Sequence, residues 1–396
     1  MAKRSHLLLC QLTFILFLLI FSSSNAFKYN ILSFGAKPDG RSDSTKSFIK
    51  AWQAACKSSS SATIYVPHGQ FVLGLTKFSG PCKNNDIQFS IDGTLLAQSS
   101  KVGLGKLSQW IVFDNVQGVK IDGGTFDGRG KAVWAYKTST SCWGCSLGAS
   151  SITFTNSKDI QITRLISMNS ELYHIVILKC KDVKVAEVSV KAPWKSPNTD
   201  GIHVQMSTGV SITKTTIKTG DDCISVGPGT KNLLIDQVFC GPGHGISIGS
   251  LGKGEYEVEA VENVTVTNSM LTGTQNGVRI KTWARPSNGY VKAITFENIL
   301  MRHVNNPIII DQNYCPHDKS CPDKSSGIKI SQVMYKNIKG SSATPIAMKF
   351  DCSESNPCSA LTLQNIALTY QNHPSKSSCQ HALGHISGSI VPPSCF

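Results

Sequence analysis

Acidic residues are scarce in this chain: 25 Asp and Glu stand against 39 Lys and Arg in 396 residues, a formal charge of +14. The excess favours polyanionic partners, acidic polysaccharide as readily as nucleic acid. The basic residues are scattered, however, with no recognition helix or zinc-finger pattern, which makes nucleic acid the poorer partner and leaves a generally basic solvated surface as the plain alternative. Long apolar runs are missing after residue 21, so no later segment can span a bilayer. Helical periodicity is nearly absent too, apart from "DSTKSFIKAWQAAC" at 43–56, which reads as a single N-terminal helix. No second CxxC accompanies Cys142 and Cys145, so a local bridge there is preferred over redox or zinc chemistry. No metal and no cofactor is expected.

The one long apolar run, Leu7 to Phe21, follows Lys3 and Arg4 and ends in Ser24-Asn25-Ala26. That is the layout of a secretory signal peptide over 1–26, and 27–396 is expected to form one exported, monomeric domain without a membrane span. Losing Lys3 and Arg4 takes the charge from +14 to +12. Thirteen of the 14 cysteines lie beyond Cys10, and in an oxidising compartment most should pair. Cys180, inside an alternating apolar run, is expected to be the buried free thiol. Cys223 and Cys240 sit on neighbouring repeats and make a plausible staple, while Cys315/Cys321, Cys352/Cys358 and Cys379/Cys395 suggest local loops.

What the chain does contain is self-similarity. Short alternating runs recur behind a polar lead: "KDIQI" at 158–162, "KDVKV" at 181–185, "TGVSI" at 208–212, "KNLLI" at 231–235, "ENVTV" at 262–266, "KAITF" at 292–296, "SGIKI" at 326–330 and "SALTL" at 359–363. A second register runs in parallel through "HIVIL" at 174–178, "GIHVQ" at 201–205, "CISVG" at 223–227, "GISIG" at 245–249, "GVRIK" at 277–281, "PIIID" at 307–311 and "PIAMK" at 345–349. Each unit carries at least two strands and cannot bury an apolar face alone, so the units must stack. The expected fold is all-β: a single-stranded, right-handed parallel β-helix of about ten coils, with the 43–56 helix as its cap. The units are too short for propeller blades of about 40 residues.

Stacked coils lie about 4.8 Å apart. Aligning Ile202, Ile224, Ile246 and Val278 in the core turns His203, Gln205, Ser225, Ser247, Arg279 and Lys281 outward. It also puts Asp200, Asp222 and His244 at one point of three successive coils, with Asp221 beside Asp222. Three carboxylates so close repel one another, and at least one should hold a proton near working pH. One protonated acid beside ionised bases is the equipment of glycoside hydrolysis. Arg279 can grip a substrate carboxylate with its fork and Lys281 adds a point charge, which suggests an acidic sugar. Two other readings stay open here: a calcium site built from the carboxylates, and a tight turn at Gly243-His244-Gly245 that merely holds a buried histidine.

"NTDG" at 198–201, "GDDC" at 220–223, "GHG" at 243–245 and "RIK" at 279–281 resemble, in order and approximate spacing, the four signature motifs of the polygalacturonases, the family 28 glycoside hydrolases. The resemblance extends from about residue 28 to the C-terminus and is greatest to the plant, pollen-type exopolygalacturonases. It implies a secreted cell-wall enzyme that hydrolyses α-1,4-galacturonosyl linkages of homogalacturonan with inversion. It further implies Asp221 as general acid, Asp200 and Asp222 as the pair that activates water, and His244 as the residue that maintains the acid's state. Arg279, Lys281, Tyr314 and Asn198 are implied as substrate-binding groups. An exo enzyme needs one end of its groove blocked, a role open to the loops at 131–145 and 251–260. The sequon Asn263-Val264-Thr265 permits glycosylation.

Overall fold

Alternation of apolar residues over three to six positions, punctuated by single turn residues, makes each repeat of this chain fold into short strands that pair only with the repeats before and after. The computed structural model describes residues 27–396 apart from 99–107, 138–147, 255, 317–320 and 323. The leader at 1–26 and the Cys142/Cys145 pair lie outside the described residues. Eleven strands, from Thr76–Ser79 to Lys376–Gln380, stack in chain order into one parallel sheet. A larger sheet wraps the rest of the coil. In a middle coil it contributes two strands, Lys181–Ala186 and Ser189–Lys191, before the chain enters Ile202–Gln205 of the first sheet. Each such coil therefore has three strands, and the whole is a right-handed parallel β-helix. Corners are turned by single residues in the left-handed region, among them Glu187 (φ 57) and Lys214 (φ 49), a conformation L-residues visit singly.

The expected register holds through the centre. Ile202, Ile224, Ile246 and Val278 are consecutive partners, and all are buried in a continuous core. Toward the C-terminus it departs from expectation. Ile294 stacks on Val333, not Ile328, and Val333 stacks on Leu361. Likewise Ile308 pairs with Met348, two residues beyond Ile346. Longer strands there, such as Gly289–Val304 and Ile328–Ser342, cross what were two strands in earlier coils, so several alternating pairs compete for one register.

The N-terminal helix spans Thr45–Lys57 and buries Phe48, Ala51, Trp52 and Ala55 against the first coil. Trp52 stacks on Phe89 with centroids 6.0 Å apart and donates to the Ser79 carbonyl at 3.1 Å. A second helix, Lys131–Lys137, was not expected from periodicity; it buries only Val133 and Trp134, too few positions to register as a helical pattern. Cys223–Cys240, Cys315–Cys321, Cys352–Cys358 and Cys379–Cys395 are bonded and Cys180 is free and buried. Cys56–Cys82, which no local spacing suggested, ties the helix end to the loop after the strand Thr76–Ser79. Asn263 is exposed, with φ 55, and its Nδ2 donates to Asn232 Oδ1 at 2.7 Å. Among the described residues no helix is long and apolar enough to cross a membrane.

Candidate active site

Asp200, Asp222 and His244 each stand two residues before a core-facing isoleucine of the eleven-stranded sheet, which sets them on one edge of adjacent coils. Backbone bonds lock that edge: the Gly201 amide donates to Asp222 O at 2.9 Å, and the His244 amide to Asp221 O at 2.7 Å. Beneath it lies a buried hydroxyl knot. Thr199 Oγ1 bonds Ser196 Oγ at 2.7 Å, receives Thr219 Oγ1 at 2.8 Å and accepts the Gly220 amide at 3.1 Å. The two acidic motifs are thus tied together through side chains that carry no charge.

Asp222 is the deepest of the three carboxylates. Its side chain is 2% exposed, as against 9% for Arg279 and Lys281. Oδ1 accepts from Arg279 Nη2 and from Ser247 Oγ, and Oδ2 from Lys281 Nζ, each at 2.8 Å. Arg279 Nε also donates to Ser247 Oγ at 2.9 Å. Burial works to raise the Asp222 pKa, but Lys281 and Arg279 outweigh it and hold the group at about 2. Asp222 is therefore ionised, and both of its oxygens are occupied by cationic donors. Asp221, Asp222 and His244 offer atoms within 4.8 Å of one another, yet this donor set does not fit a hard cation, because two protein cations already neutralise Asp222.

Asp200 is pushed the other way. Burial raises its pKa well above the usual carboxylate range, and the charges of Asp221 and Asp222 add to the effect, against smaller opposing pulls from Ser225 and Lys281. The surroundings of Asp200 therefore favour its protonated form. Burial keeps His203 neutral by lowering its pKa; its Nε2 lies 3.0 Å from Gln205 Oε1, so that nitrogen carries the hydrogen. Nδ1 then accepts from Ser225 Oγ at 2.7 Å.

Asp221 differs from both. Its side chain is 20% exposed, and Oδ1 lies 2.9 Å from His244 Nδ1 and accepts the Asp222 amide at 2.8 Å. It lines two cavities that meet at Asp221 and Asn198. One, of about 330 Å³, contains Asp200, Asp222, Tyr173, His203, Lys281 and Tyr314. The other, of about 590 Å³, contains His244, Trp194, Lys195 and Gln275. The structure thus brings Asn198, Asp200, Asp221, Asp222, His244 and Lys281 of the four motifs to one groove, with Asp221 at the junction. Tyr314 lies 5.1 Å from the Lys281 ammonium and 5.8 Å from the Arg279 guanidinium. Lys281 reaches the groove, whereas Arg279 lies beneath it.

Sequence reasoning placed Ser225 and Ser247 outward but assigned them no role. They follow from the same register, since His203, Ser225, Ser247 and Arg279 are consecutive partners. Tyr173, stacked on His203 at 5.0 Å, occupies the position of Asp200 one coil earlier. That equivalence was the available signal.

The chain matches glycosyl hydrolases family 28 over residues 56–388. A polygalacturonase of Prunus persica is 50% identical over the whole of both chains. An exopolygalacturonase of Platanus acerifolia is 40% identical, covering 92% of this chain and 96% of its own. Among solved structures, an exopolygalacturonase from Thermotoga maritima superposes with a TM-score of 0.76 at 20% identity, over 91% of this chain and 92% of its own, and shares the fold. With its matched length, its β-helix and its four motifs gathered at one junction, this chain belongs to glycosyl hydrolases family 28.

Proposed function

We propose that the protein hydrolyses α-1,4-galacturonosyl linkages of de-esterified pectin outside the cell, as a secreted enzyme acting on cell-wall homogalacturonan. The observation that carries this reading is the junction itself: a half-buried Asp221 at the meeting of two cavities, beside a buried Asp200 and a clamped Asp222, with Lys281 reaching into the same groove. Export is supported by the leader-like segment at 1–26 and by the five disulfides among the described residues.

In the proposed mechanism the sugar carboxylate is held by Lys281 next to Tyr314. This adds a negative charge beside the cluster, which favours uptake of a second proton. Asp221 is the carboxyl within reach of both arms of the groove, so it delivers its proton to the glycosidic oxygen as the C1–O bond breaks. A water oxygen attacks C1 from the opposite face and yields its proton to the Asp200/Asp222 pair, of which Asp222 is the ionised member. His244, bonded to Asp221, holds that carboxyl in place and exchanges its proton. Exo action is favoured by the segment 251–259. The Gly252 and Gly254 amides donate to Glu259 at 2.8 and 2.9 Å, and Gln205 Nε2 donates to Tyr256 Oη at 2.8 Å, which draws the segment over the arm that holds Asp200.

Product analysis on polygalacturonate tests the reading. Free galacturonic acid should accumulate steadily while viscosity falls slowly, and proton NMR should show the anomer of inverted configuration first. Asp221→Asn should lose about 10²–10⁴-fold in rate and still fold. An unsaturated, ultraviolet-absorbing product would replace hydrolysis with elimination, and an early ladder of medium oligomers would replace exo with endo attack.

A further inference from the structure

Beyond Asp221 and His244, onto which it opens directly, the larger arm of the groove has no residue assigned a part in the chemistry above. On its rim stands Trp194, 65% exposed, and the Lys195 ammonium lies 4.7 Å from the centre of its indole ring. A single exposed apolar side chain is ordinary. What sets Trp194 apart is its place: the motif that carries Asn198 and Asp200 begins only four residues later, and Asn198 lines both arms. The segment between is also firmly seated. Ser196 Oγ donates to the Pro193 carbonyl at 2.6 Å and bonds Thr199 Oγ1 at 2.7 Å. Trp194 and Lys195 thus ride on the same buried hydroxyl knot that sets the acidic motifs, and their position relative to Asp221 is fixed by it.

We propose that Trp194 and Lys195 form a sugar-binding platform in this arm, on which a galacturonate unit remote from the scissile bond stacks its apolar ring face on the indole and sets its carboxylate against the Lys195 ammonium. The chemistry is complementary. An indole offers a large, rigid, apolar face at little entropic cost, and an adjacent ammonium supplies the charge that a neutral sugar would not need. Gln275 and Asn305, which line the same cavity, offer amides to ring hydroxyls. The platform rests on the polygalacturonate reading and extends it: the enzyme measures chain length as well as the bond it cleaves.

The test compares kcat/KM on trigalacturonate and on a ten-unit oligogalacturonate. Trp194→Ala should reduce the advantage of the longer chain by about two- to tenfold, chiefly through KM, and Trp194→Phe should restore most of it. A binding readout accompanies it. In an Asp221→Asn background the ten-unit oligomer should quench indole fluorescence, and adding Trp194→Phe should remove that quench. An unchanged chain-length ratio in Trp194→Ala, or an unchanged quench without Trp194, overturns the platform. If the unsubstituted enzyme cleaves neither oligomer, the hydrolase reading fails instead, and the fluorescence arm still decides whether the acidic chain docks at Trp194.

Discussion

Replacing Lys281 by Met perturbs the deepest part of the site, and its consequence can be worked from the ion pairs. Asp222 is all but sealed from solvent, and its two oxygens are shared between Arg279, Lys281 and Ser247. Burial alone would raise its pKa, so the depression from 3.8 to about 2 is the net effect of the cations. It corresponds to about 2–3 kcal/mol in favour of the ionised form. The sign follows from linkage: a depressed carboxylate contributes stability above its unfolded pKa of about 3.9 and loses it as pH falls through about 2. Lys281→Met leaves Oδ2 without its donor inside the protein, where breaking a buried pair costs about 3–5 kcal/mol. In a chain of this length that lowers the melting temperature by about 4–6 °C at pH 7. Asp222→Asn alone strands two cations and should cost a similar amount. The double variant Lys281→Met/Asp222→Asn removes both halves of one pair, so its loss should fall short of the sum by about 2 kcal/mol or more. Denaturant unfolding of the four proteins at pH 7 supplies the cycle. Additive losses would show that Lys281 and Asp222 do not hold each other, and the account of an ionised, clamped Asp222 would fall.

Asp200 should behave in the opposite sense. Its folded pKa lies above its unfolded value, so its contribution is present below about pH 3.9 and is lost as pH rises through the folded value. Asp200→Asn should therefore be more stable than the unsubstituted protein at pH 7 while hydrolysing far more slowly; identical pH-stability profiles for the two proteins would place the proton elsewhere. Gly220→Ala tests the backbone that carries Asp221. A Cβ there would lie 2.0 Å from the Ser196 carbonyl oxygen, so the main chain must move, and a displacement near 1 Å costs about 10²-fold in rate. An alanine variant with full activity would show that the acidic motif tolerates that shift.

The repeat, the all-β class, the coil-to-coil alignment of the central strands and the identity of the residues at the junction are all legible in the amino-acid order alone. All of these depend on period and spacing, and a parallel stack converts spacing along the chain directly into adjacency in space. Hence Asp200, Asp222 and His244 could be aligned from isoleucines two residues away, and Cys223 could be paired with Cys240. Period does not say how deep a side chain sits or what lies above it. Ser225, Ser247, Arg279 and Lys281 share the outward parity of His203, yet the packing of the coils is what sinks Arg279 and Lys281 onto Asp222, lowering its pKa while burial raises that of Asp200. Desolvation depends on the surrounding walls, which come from distant segments such as Tyr173 and Tyr314. Register also became ambiguous where long strands offered several equivalent alternations, as at Ile294, and only packing chose Val333 over Ile328. Trp194 was likewise invisible as a site residue, because one exposed aromatic acquires meaning only from the groove beneath it, and that groove is formed by loops from five successive coils.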